Sequence, residues 1–127
     1  MTFQEQVRSH CAEKLVAKLR FESLVHIRIE SLQLAIIFIF SAWSGAAVSS
    51  FRLLTEALNE IYGHTFDIVV VDADKINFDT FQNIFGELPQ GKGETYWIKA
   101  GQLLHADHGY TQTTKEALRD RIREFVA

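Results

Sequence analysis

Two stretches of this sequence, Leu34 to Phe40 and Phe66 to Val71, are apolar almost throughout rather than at alternate positions. Successive side chains of a strand point to opposite faces, so such a run is stable only where both faces are covered. A sheet buried on both sides requires helices above and below it, which makes the chain a three-layer α/β protein. At 127 residues, 47% of them hydrophobic, it is sized for one domain with one packed core spanning 1–127. One proline and seven glycines leave no room for a disordered or linker-rich character.

Around these two strands the periodicity changes in an orderly way. Val7, Cys11, Leu15 and Leu19 recur every four residues, which predicts a helix within residues 1–21 carrying one apolar stripe. Val25, Ile27 and Ile29 alternate with His26, Arg28 and Glu30, the pattern of a strand over 25–30 with one wet face. After the first apolar strand, Ser41 to Gly45 reads as a turn. A helix follows from Ala46 to Ile61, ended by Gly63. Asp72-Ala-Asp74 closes the second apolar strand, and Phe78, Phe81, Ile84 and Phe85 mark a short helix stopped by Gly86. The segment from Gly86 to Gly93 holds three glycines and the only proline, hence a loop. Thr95–Ile98 and Leu103–Ala106 form a hairpin about Ala100-Gly101. Thr113-x-x-Glu116 is a capping box that opens a last helix facing inward through Leu118, Ile122 and Phe125.

Charge and targeting signals exclude several functions. A formal charge of −3 argues against binding nucleic acid by phosphate neutralisation. Charged residues interrupt the first twenty positions, so no secretory apolar segment forms there. The longest apolar run falls far short of the roughly twenty residues that cross a bilayer. A soluble, cytoplasmic protein is expected. The single cysteine, Cys11, forms no intramolecular disulfide and no cysteine-based zinc site. On the apolar stripe it reads as a small buried hydrophobe rather than a reactive thiol.

From residue 34 the order is β-α-β-α-β-β-α, and with the residues at its joints it resembles the thioredoxin fold. The resemblance covers Leu34 to Val126, roughly three-quarters of the chain. Ala42-Trp43-Ser44-Gly45-Ala46-Ala47 is similar to the strand-to-helix turn that carries Trp-Cys-Gly-Pro-Cys in that family. Val71-Asp-Ala-Asp74 is similar to the acidic end of its third strand, Lys99-Ala-Gly101 to its last hairpin, and Gly109 with the capped helix to its C-terminal element. The resemblance implies a thioredoxin-like three-layer α/β/α sandwich with an additional N-terminal helix. The segment 25–30 leaves no room for the family's first crossover helix before residue 34, because a parallel neighbour needs a connection of a dozen or more residues.

Departures from the family fall where its chemistry would be. Ser44 and Ala47 stand at the positions of its two cysteines, Ala46 replaces the proline between them, Glu94 takes the place of its cis-proline, and Phe38 that of its buried carboxylate. Disulfide exchange needs an attacking thiolate and a second, resolving thiol. The resemblance therefore implies a redox-inactive, non-catalytic member without a cofactor, which binds a protein partner through Trp43, Ser44, Gly45, Glu94 and Thr95. A trans peptide at Glu94 would narrow that groove, since a cis bond to a non-proline residue costs about 2.5–4 kcal/mol. A chaperone's client, an assembly partner or a neutralised toxin would each suit such a surface, and an exposed strand or the aromatics Trp43, Tyr62, Tyr96 and Trp97 could pair two copies.

Other constellations define the alternative, a non-thiol enzyme or a ligand-binding protein. His105, Asp107 and His108 could ligate a metal, with His64 as a further ligand, although solvated hairpin positions are the plainer reading. Asp72 and Asp74 share a strand face at the carboxyl end of a central strand, where α/β sheets bind ligands; helix capping by Asp74 is the plainer reading. Gly86 to Gly93 matches P-loop spacing but ends in glycine where Mg²⁺ coordination needs Ser or Thr. Ser44 lacks the leading glycine of a nucleophile elbow, and no histidine is nominated as its partner.

Overall fold

The computed structural model describes all 127 residues, and the strand Leu34–Phe40 (β2) lies at the middle of a five-stranded sheet. On one side it pairs in parallel with Asp67–Asp72 (β3), Phe38 opposite Val70. On the other it pairs antiparallel with Glu94–Lys99 (β4), Phe38 opposite Thr95. Gln102–His108 (β5) extends the sheet beyond β4, and Leu19–Phe21 (β1) runs parallel to β3 at the opposite edge. The order is β1-β3-β2-β4-β5.

Alternation along β2 divides the core into two layers. Ile36, Phe38 and Phe40 face the helices Phe3–His10 (α1), Gly45–Leu58 (α2) and Lys115–Val126 (α4), meeting Val7, Phe51, Leu54, Leu118, Ile122 and Phe125. Ala35, Ile37 and Ile39 face the helix Phe78–Phe85 (α3) and the segment before β2, meeting Phe81, Phe85 and Leu24. The expected three-layer architecture is present, with the apolar runs at its centre.

The N-terminal third differs from the periodic reading. The helix expected to near residue 20 ends at His10, and Cys11 is extended (φ −90°, ψ 139°). A 3₁₀ turn, Glu13–Lys18, then leads into β1. Tertiary bonding overrides helical periodicity here: the Ala12 amide donates to Thr55 Oγ1 in α2 at 3.2 Å, while Val7 and Leu15 both remain fully buried. Residues 25–30 form no strand either. They span two 3₁₀ turns, Leu24–His26 and Ile29–Ser31, joined by the extended Ile27 and Arg28, and the segment covers one sheet face through Leu24, Ile27, Ile29 and Leu32. Because β3 lies between β1 and β2, this segment crosses over β3 rather than pairing beside β2.

Two smaller boundaries shift. α2 ends at Leu58 in a 3₁₀ turn, Asn59–Ile61, without a left-handed Gly63. Gly86 does end α3 in left-handed conformation, φ 74°. The reciprocal cap before α4 joins Thr111 and Thr114, not Thr113 and Glu116. In the β4–β5 turn both Ala100 and Gly101 have positive φ, the geometry of a two-residue hairpin. Their amides donate to the carbonyls of Gln33 and Leu32 (2.7 and 2.8 Å), which docks the turn on the crossing segment.

Phe38 packs against the rings of Phe51 and Phe40, at 4.9 and 6.1 Å. Phe38→Ala should lower the unfolding free energy by about 3–5 kcal/mol in a denaturant titration. Exposed Val25→Ala should change it by less than about 0.5 kcal/mol. Equal effects would contradict the central position of β2.

Candidate functional site

The turn from β2 into α2 is built from short polar and small residues. Ser44, extended at φ −100° and ψ 114°, accepts the Ala47 amide on its Oγ at 3.2 Å and so caps α2. Trp43 stands just before the cap and is 71% exposed. Exposed though it is, two other loops hold it. Its indole Nε1 donates to Asp74 Oδ1 at 2.9 Å, and its ring edge lies over Gly91, where an added Cβ would sit 3.1 Å from Cη2. Asp74 is itself positioned by its amide, which donates to Asp72 Oδ1 at 3.0 Å.

Glu94 and Thr95 lie beneath this surface and do not line it: both are fully buried. Glu94 Oε1 accepts the amides of Gln90 and Lys92 at 3.3 and 3.0 Å, so the loop 86–93 is folded around the chain's own carboxylate. Thr95 Oγ1 donates to the Gly93 carbonyl at 3.0 Å. No peptide bond is cis, as expected at Glu94. Glu94 Oε2 and Ser41 Oγ, both buried, have no hydrogen-bond partner. The same bonds dispose of the P-loop likeness. The loop joins a helix to a strand, and two of its amides already serve Glu94 rather than standing open to a phosphate.

The remaining sequence candidates are dispersed. His105 Nε2 lies 2.6 Å from Glu124 Oε2 on α4, whereas His108 Nε2 lies 2.8 Å from Glu87, after α3 on the other side of the sheet. Asp107 accepts from Tyr110 Oη (2.7 Å), Trp97 Nε1 (3.2 Å) and Arg121 Nε (3.2 Å), a network that ties α4 to β4 and β5. These three side chains do not converge, and no cluster of three metal-ligating groups is formed anywhere in the chain. Asp72 caps a 3₁₀ turn, and Asn77 rather than Asp74 caps α3, accepting the Thr80 amide at 3.1 Å. Asp72 and Asp74 thus serve the loop and Trp43.

Ionisation follows these contacts. Burial alone would raise Glu87, but hydrogen bonds from Tyr96 and His108, with the His108 charge, hold it below the usual carboxylate range. Burial pushes the Tyr96 and Tyr110 phenols up, and the adjacent Glu87 and Asp107 carboxylates add to it. Burial also raises the Cys11 thiol to about 11, so the thiolate is scarce at neutral pH.

One feature has no signal in the sequence. A groove of about 590 Å³ runs between the outer face of α2 (Ala46, Ser49, Arg52, Leu53, Glu56) and the β5–α4 corner from His108 to Gln112, with Lys92 at its wall. Its cationic members come from distant segments and belong to no motif.

Comparisons with known proteins bear on the fold. No protein-family model matches the chain, and no curated protein matches it by sequence. Solved structures do match. A chain from the study of thiol resolution in yeast mitochondrial 1-Cys peroxiredoxin via glutathione/thioredoxin systems is 18% identical, covering 76% of this chain and 82% of its own, TM-score 0.57. The Malassezia sympodialis thioredoxin Mala s 13 is 16% identical over 75% of this chain and 76% of its own, TM-score 0.57. The reduced thioredoxin pre-protein of Schistosoma mansoni is 19% identical over 85% of this chain and 98% of its own, TM-score 0.57. The chain has the thioredoxin-like fold. No helix is long and apolar enough to cross a membrane.

Glu94→Ala would strand two loop amides that now share one carboxylate oxygen. The expected cost is about 1–3 kcal/mol, with faster hydrogen exchange at Gln90 and Lys92 by NMR. Unchanged exchange at both amides would contradict the role given to Glu94.

Proposed function

We propose that this chain is a non-catalytic thioredoxin-like domain that binds another protein through the face on which Trp43 stands. The observation that carries this reading is a large aromatic side chain, 71% exposed, fixed by a 2.9 Å bond to Asp74 and by contact with Gly91. An exposed ring held in one place loses little freedom on binding, which is what makes Trp an effective interface anchor. The surface consists of Trp43, Ser44 and Gly45 with the neighbouring Ala46 and Lys92, supported from below by Glu94 and Thr95.

The chemistry at the turn supports the non-catalytic part. Ser44 Oγ is committed to capping α2, and Ala47, at the second cysteine position of the resemblance, is a buried methyl group. Neither can form or resolve a mixed disulfide. A client, an assembly partner and a neutralised toxin remain the partner classes that suit this surface.

The test is recovery of partners from native lysate by the wild-type chain and by Trp43→Ala, with each captured protein then titrated in purified form. Trp43→Ala should weaken binding by about 2 kcal/mol or more, roughly thirtyfold, while its melting curve stays close to wild type. Equal affinity of the two proteins for every captured partner would discard this surface.

A further inference from the structure

We propose that the groove beside Trp43 receives an acidic, extended segment of the protein partner. This rests on the binding role proposed for the Trp43 face and adds the chemistry of what is bound.

The groove is continuous with that face. Trp43 lies over Gly91, the next residue Lys92 forms part of the groove wall, and Ala46, which opens α2 with Gly45, forms another. Its volume, about 590 Å³, falls within the ~300–1,000 Å³ typical of binding clefts. Two full positive charges, Arg52 and Lys92, stand in it with no carboxylate within ion-pair distance. The Arg52 guanidinium meets only the imidazole Nδ1 of His10, Nε at 2.9 Å. Lys92 forms no ion pair or side-chain hydrogen bond; only its backbone amide is engaged, by Glu94. Arg20, Arg121 and Arg123 are each matched with an Asp or Glu, whereas Arg52 and Lys92, like Arg28 and Arg119, form no ion pair.

His10 adds no charge of its own beside Arg52. Burial, and then the guanidinium itself, lower the imidazole pKa, which keeps that neighbour neutral. The first turn of α2 holds no acidic residue, so the positive end of its dipole adds to the same sign at Ala46. His108 is already matched with Glu87, and Glu56 is the one acid lining the groove. Ser49, Thr111 and Gln112 supply neutral hydrogen-bond donors along its length. The whole chain carries −3, so a preference for acid at this place runs against the overall charge and has to be local.

The test uses two short fluorescein-labelled peptides, one alternating Glu and Ala and the other alternating Lys and Ala, followed by fluorescence anisotropy. The Glu peptide should bind saturably and the Lys peptide should not. Binding should be lost at about 1 M salt, where the screening length is about 3 Å. The pair of substitutions Arg52→Glu and Lys92→Glu should weaken the Glu peptide at least about tenfold. Because Arg52 contacts His10, Lys92→Glu alone is the second variant, and a decrease of at least about threefold is expected for it. Equal binding of the two peptides, salt-insensitive binding, or unchanged affinity in both variants would overturn the assignment. Those results would leave the Trp43 reading standing, because it is tested separately by partner capture with Trp43→Ala.

Discussion

The side chains from Ala35 to Phe40 are all out of water, and that requirement organises everything around β2. Ile36, Phe38 and Phe40 need one helical layer, Ala35, Ile37 and Ile39 need another, and neither exists without the other elements in register. The surface proposed to bind a partner follows from the same strand. β2 and β3 are parallel and β4 is antiparallel to them, so the ends of β2 and β3 meet the beginning of β4 at one end of the sheet's strands. The three loops there carry Trp43, Asp74 and Gly91, and Trp43 meets both of the others. Residues far apart in sequence become one site because of strand direction.

Inside that end of the sheet, polar groups take over from apolar packing. Glu94 at a fully buried position would be costly unless bonded, and the chain bends the loop 86–93 so that two amides reach its Oε1. Gly93 permits the approach: with φ 87°, an added Cβ would lie 2.9 Å from the Ser50 Cβ. The consequence reaches the surface, since Gly91 in that loop is the platform on which Trp43 rests. A second buried network, Trp97–Asp107–Tyr110 with Arg121, fixes α4 against the hairpin and absorbs one of the suggested metal ligands.

The central strands, α2, α3, the hairpin and α4 were legible because their burial is regular, so apolar periodicity reports it directly. The N-terminal third was not. Val7 and Leu15 of the stripe are buried as their spacing suggests, but Cys11, expected to be buried with them, is only half-buried, and the backbone between is bent by the Ala12–Thr55 bond, which no local pattern records. Val25, Ile27 and Ile29 alternate like a strand, but sheet order requires them to cross β3, and 3₁₀ turns make the crossing. At the site, the resemblance marked Trp43, Ser44 and Glu94 from their positions at the joints. It did not reveal that Glu94 turns inward, a matter of loop amides rather than residue type. The groove had no signal at all, because Arg52 and Lys92 meet only through tertiary structure.

The proposal that this thioredoxin-like scaffold binds a partner without thiol chemistry is tested most directly by dithiothreitol-driven reduction of insulin disulfides. Cys11 is the only thiol, raised by burial to about 11 and without a second cysteine to resolve a mixed disulfide. Insulin should precipitate at the rate set by dithiothreitol alone, whatever the concentration of the protein. An acceleration that grows with protein concentration and is abolished by Cys11→Ser would contradict the account.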